Sequence, residues 1–116
     1  MTTLYDINTE YVHIITSDEL ESNNVFRILI SDIQTPINIR LDRVNKYKDS
    51  KSKFRICKSY CCYDSIIIEF RIMSLLNKFK IQRTTDCIKL ELESLNRIIS
   101  IICKNEHRLI EEVKKL

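Results

Sequence analysis

Apolar positions come in short bursts along the first two-thirds of the chain and in a long helical rhythm at its end. Tyr11 to Thr16 reads as a first strand, Ser17 to Asn24 as a polar loop, and Val25 to Ile30 as a second, more apolar strand. Pro36 turns the chain. Ile37, Ile39 and Leu41 then alternate with Asn38, Arg40 and Asp42, the period-2 mark of a strand with one buried face. Asn45 to Ser52 is polar loop, and Phe54 to Tyr60 resumes an extended pattern, so the sequence predicts a hairpin here. Ile66, Ile68, Phe70 and Ile72 share one face of a further strand, and Phe79 with Ile81 suggest another short one. Ile88, Leu90 and Leu92 alternate as a strand leading into a helix from about Ser94, although Ile88, Leu92, Leu95 and Ile99 also fit a helix starting near Asp86.

From Leu95 onward the spacing of Leu95, Ile99, Ile102, Leu109, Val113 and Leu116 is helical, with Glu106 interrupting the stripe. Ile98, Ile101, Cys103 and Ile110 widen the apolar arc to roughly 200°, about twice what one-sided packing needs. The first half of this helix therefore packs on two sides, and the second surface belongs either to the same domain or to another chain, as in a homodimer or larger assembly. Ile98, Ile101, Ile102, Glu106 and Ile110 are the candidate partner-binding residues, Glu106 either reaching solvent at the edge or pairing with a base on a partner to fix register. The elements together predict an α+β, mainly β domain spanning residues 1–116: a six- or seven-stranded antiparallel sandwich or barrel closed by a C-terminal helix.

Composition adds little to the fold and more to the chemistry. The chain has no glycine and one proline, so its turns rely on Asn, Asp and Ser, and no glycine-rich loop exists to cradle a phosphate or offer oxyanion-hole donors. His13 and His107 are its two histidines; a Cys103 to His107 pair lacks such a loop, and His13 in an apolar strand reads as structural. The sequence thus points away from an enzyme and calls for no cofactor. Five cysteines (Cys57, Cys61, Cys62, Cys87 and Cys103) without a signal-like N-terminus read as packed thiols rather than disulfides. A zinc site joining Cys57, Cys61 and Cys62 to Cys103 and His107 is the less favoured alternative, because the spacing is not the tight Cys-x2-Cys type. No apolar run is long enough to span a bilayer, and a cytoplasmic or nuclear location is expected.

Charge is sorted along the chain. Between Arg40 and Lys58 stand eight bases (Arg40, Arg43, Lys46, Lys48, Lys51, Lys53, Arg55 and Lys58) against Asp42 and Asp49, a net +6 in a chain of +3. Tyr47, Phe54 and Tyr60 are interleaved, a mixture suited to phosphate contact with base stacking, and also to anionic lipid headgroups. The plainer alternative is a solvated hairpin whose lysines keep a sheet edge from pairing. The acidic section holding Asp6, Glu10, Asp18, Glu19 and Glu21 is an ordinary solvated surface or a complement to a basic partner, this chain's own basic stretch included. The expected function is a non-enzymatic protein–protein interaction subunit assembling through the C-terminal helix; the alternative is a nucleic-acid-binding protein using residues 40–58.

Overall fold

A computed structural model describes residues 10–81 and 87–116, with the side chains of residues 109 and 110 outside that description. Strand β1 (Glu10–Thr16) is followed by a one-turn helix α1 (Asp18–Glu21), strand β2 (Val25–Ser31), helix α2 (Ile37–Asn45), strand β3 (Arg55–Cys62), helix α3 (Ser65–Leu75), a 3-10 turn (Asn77–Phe79), a short strand β4 (Cys87–Lys89) and helix α4 (Leu92–Lys114). The strands form one open antiparallel sheet in the order β3-β1-β2-β4. The expected six- or seven-stranded sandwich or barrel is therefore wrong: among the described residues four strands make a single open sheet, and β3 and β4 are its edges.

Three strand expectations fail for identifiable reasons. Residues 37–41 are helical, because Ile37, Leu41 and Val44 also recur at i, i+4 and i+7. Their half-burial, together with Arg40 and Asn45, against exposed Asn38, Ile39, Asp42 and Arg43 is a helical pattern. Residues 66–72 are helical too. The Asp64 carboxylate caps α3 by accepting from the Ile67 N–H at 3.2 Å, and Ile68, Ile72 and Leu76, one turn apart, go into the core. Alternation groups Ile66 and Phe70 with Ile68 and Ile72, yet the helix sends them to the opposite side. Phe79 lies in the 3-10 turn, and among the described residues the pairing nearby is an isolated bridge from Lys80 to Ile88, with the Ile81 N–H donating 3.1 Å to the Cys87 carbonyl. By contrast β1, β2, β3 and the passage from β4 into α4 run close to where the alternation places them.

Alternation divides the sheet into two faces. Val12, Ile14, Phe26, Ile28 and Ile88 point one way and pack against Ile68, Ile72, Leu76, Leu95, Ile99 and Ile102 of α3 and α4. Burying these apolar side chains is favourable by about 25 cal/mol per Å² of surface removed from water. Helices α3 and α4 run antiparallel, since Tyr63 just before α3 reaches Glu111 while Arg71 reaches Glu106. His13, Ile15 and Leu29 point the other way and are buried, on the face where α2 packs against β2.

Candidate interaction surfaces

The basic residues do not lie on a β-hairpin. Arg40 and Arg43 stand on α2, Lys46, Lys48, Lys51 and Lys53 on the loop after it, and Arg55 and Lys58 on β3. Two side chains shape that loop. Asn45 mimics a strand partner, donating 2.9 Å to the Phe54 carbonyl and accepting 2.6 Å from the Phe54 N–H. Asp49 accepts from the N–H groups of Lys51 and Ser52 at 3.1 and 3.0 Å, and these bonds, Ser52 first, hold its carboxyl below the usual range.

Part of the positive charge is answered within the chain. Arg55 pairs with Glu21 and, at 3.4 Å, with Asp18, and the Ser52 hydroxyl donates 3.4 Å to Glu19. Arg40 is half-buried and donates to the Ile30 carbonyl. The three interleaved aromatics have separate fates. Phe54 sits under Arg27 and Lys48, whose cationic groups lie 5.7 and 5.3 Å from its centroid. Tyr60 turns to α4, where burial pushes its hydroxyl up to about 12. Tyr47 alone stands open, 94% exposed beside Lys46, on a backbone with φ 66°. A bulky residue in the left-handed region carries about 1 kcal/mol or more of strain.

On the C-terminal helix the candidate residues separate. Ile102 is buried in the core and Ile98 packs against it. Glu106 lies 2.7 Å from Arg71, an ion pair rather than an aligned hydrogen bond, so the interruption of the stripe answers a base on the neighbouring helix of the same chain and not one on a partner. Ile101 is 52% exposed. Ile110 falls within α4, but its side chain lies outside the described residues. The two-sided packing of the helix is supplied by β3 on one flank and α3 on the other.

Helix α3 is what strand-like reading of residues 66–72 conceals. Its core side holds Ile68 and Ile72, yet Ile66, Ile67, Phe70 and Leu75 all reach solvent, at 69% for Ile66, 71% for Phe70 and 64% for Leu75. A helix apolar around its circumference is ordinarily covered on every side. The only signal in the sequence is the unbroken Ile66 to Ile68 run followed by Phe70 and Ile72, with a Ser/Asp pair just ahead of it.

The five cysteines are free thiols, of which Cys62 is buried, Cys57, Cys87 and Cys103 are half-buried and Cys61 is exposed. Burial pushes Cys62 up to about 12 and Cys103 up to about 11, and raises Cys57 and Cys61. Thiolates, the form that attacks carbon or holds zinc, are thus disfavoured at neutral pH. Cys61, Cys103 and His107 do border one shallow hollow between β3 and α4, but no three metal-ligating side chains converge among the described residues.

His13 anchors a polar cluster that alternation alone does not reveal. Its Nδ1 lies 2.7 Å from the Ser59 hydroxyl, directly across on β3, and its Nε2 lies 2.6 Å from Ser31 on β2. Burial, then the Arg40 charge, hold the imidazole below its ordinary 6.5, so the neutral ring donates to one serine and accepts from the other. Among the described residues no helix is long and apolar enough to cross a membrane. Set beside family models, curated proteins and solved structures, the chain matches none of them.

Proposed function

We propose that the chain is a non-enzymatic protein–protein interaction subunit that associates with a second copy of itself through the outer surface of its helical layer. The observation that carries this reading is the apolar outward side of α3, where Ile66, Ile67 and Phe70 stand open opposite the buried Ile68 and Ile72. Exposed apolar side chains gathered on one helix mark contact surfaces more reliably than single exposed residues do. About one turn beyond the Arg71 to Glu106 pair, Leu75 on α3 and Ile101 on α4 extend the surface, which keeps the C-terminal helix within the interface. Apolar burial at a two-fold contact needs no other component.

A second reading, nucleic-acid binding by the basic loop, is favoured by Tyr47 alone. A strained backbone that holds an aromatic ring in solvent between Lys46 and Lys48 suits stacking on an unpaired base. Against it, Asp18, Glu19 and Glu21 already engage Arg55 and Ser52 at the base of the same loop.

Light scattering over a concentration series, with and without a thymidine oligonucleotide of about 20 nucleotides, separates the two. Self-association indifferent to oligonucleotide and salt supports the interaction subunit. A monomer that binds the oligonucleotide with a steep salt dependence, lost on Tyr47→Ala, replaces it with the second reading.

A further inference from the structure

Strand β3 is the terminal strand of the sheet, and among the described residues no strand pairs with its outer edge. Helix α4 runs beside that edge, held by two ties. The Tyr60 hydroxyl donates to Asn96, and beyond the strand the Tyr63 ring packs on His107 at 4.8 Å while its hydroxyl donates 3.0 Å to Glu111. In between lies a hollow of about 340 Å³, with Ser59, Tyr60 and Cys61 on the strand side and Ser100, Cys103, Lys104 and His107 on the helix side.

We propose that this groove takes an extended acidic segment of a partner protein, which adds to β3 as a fifth strand. The open edge supplies backbone donors and acceptors to any extended chain, and eight residues of β3 offer roughly 27 Å of pairing length. The wall of α4 then selects what the added strand carries on that face. Among the described residues no acid lines the hollow, and the buried, uncharged thiol of Cys103 leaves Lys104 as its fixed charge. Lys58, paired in register with the core-facing Ile14, stands on the same face of the sheet as α4. Arg55, the other base of the strand, is already engaged by Asp18 and Glu21, so among the described residues the charge left to meet an added strand is that of Lys104 in the hollow and of Lys58 farther along β3.

Self-pairing suits this edge poorly. Two antiparallel copies of β3 would set Lys58 and Lys104 of both along one seam, with no acid of either strand to offset them. An acidic segment replaces that repulsion with attraction. The groove lies on the opposite flank of α4 from α3 and does not depend on self-assembly through the apolar side of α3.

The test uses two labelled eight-residue peptides, one alternating Val with Glu and one alternating Val with Lys, read by fluorescence anisotropy and by amide exchange on the full chain. The glutamate peptide is expected to bind, to protect amides within residues 55–62, and to weaken as salt rises. Lys58→Glu with Lys104→Glu should reduce its affinity roughly tenfold and admit the lysine peptide. Lys104→Gln alone, an exposed helix substitution that spares the strand, should weaken it about threefold. Equal binding of both peptides, binding without protection of β3, or no binding at millimolar concentration overturns the proposal. Protection of β3 that grows with protein concentration in the absence of peptide assigns the edge to a second copy instead. Self-assembly through α3 is read as mass and this groove as β3 protection, so each fails separately.

Discussion

On the face of the sheet beneath α3 and α4, Val12, Ile14, Phe26, Ile28 and Ile88 meet Ile68, Ile72, Leu95 and Ile99 with no charged or hydroxyl side chain among them, whereas the face beneath α2 centres on His13 between two serines. The first face gains its stability from area removed from water and is indifferent to pH. The second holds together through hydrogen bonds, cations over Phe54 and a helix with no fully buried residue, each sensitive to protonation or charge. One face therefore carries the fold, and the other is open to tuning.

The largest expected effect separates the faces by mutation. Ile14→Ala or Ile99→Ala should cost about 2–5 kcal/mol in urea unfolding, and Leu41→Ala on half-buried α2 about 1 kcal/mol. Comparable losses at all three sites would erase the distinction.

Next comes His13. Replacing it with Ala leaves the Ser31 hydroxyl buried without its partner and should cost about 2 kcal/mol. Its titration gives a second reading. Because the folded-state value lies below the ordinary 6.5, the unfolded chain binds more protons once the pH drops beneath that point. The contribution of the neutral imidazole is thus fully present above about pH 6.5 and is lost as the pH falls toward the folded value. A urea midpoint that declines below pH 6.5 in the unaltered chain, with a shallower decline in His13→Gln, is the expected outcome. Identical profiles would place the pH dependence elsewhere.

Two smaller effects sharpen the picture of the second face. Tyr47→Gly should leave stability unchanged or raise it by up to about 1 kcal/mol, since glycine occupies φ 66° without a Cβ clash. A clear loss in thermal unfolding would mean that the ring is held by packing rather than merely tolerated. Arg55→Ala removes the half-exposed pairs to Asp18 and Glu21 and should cost less than about 1 kcal/mol, shrinking further in high salt.

The same contrast explains which parts of the molecule were legible in the sequence. Strands β1 and β2 each show one face to the large core, and α4 is long and amphipathic, so periodicity finds all three. Helix α2 is short, and Ile39 happens to fall between Ile37 and Leu41, so a half-buried helix imitates an alternating strand over five residues. Helix α3 has isoleucine on nearly every side and thus no period to read. Its β-branched residues favour strand locally, and only the Asp64 cap and the docking of Ile68 and Ile72 against the sheet overrule them. For the candidate surfaces, the charge of residues 40–58 and the wide arc of α4 could be read directly. That α3 covers one flank of α4, that acids of α1 meet Arg55, and that His13 meets Ser59 depend on contacts 34 to 46 residues apart, for which the sequence holds no local sign.

The most direct test of assembly through α3 is sedimentation equilibrium of Phe70→Asp beside the unaltered chain at matched concentrations. The account predicts an associated unaltered chain and a monomeric variant that keeps the same circular-dichroism spectrum, because Phe70 contacts solvent rather than the core, and whose melting temperature falls only by the concentration-dependent part that association supplies. Equal masses for the two chains, whether both monomeric or both associated, would contradict it.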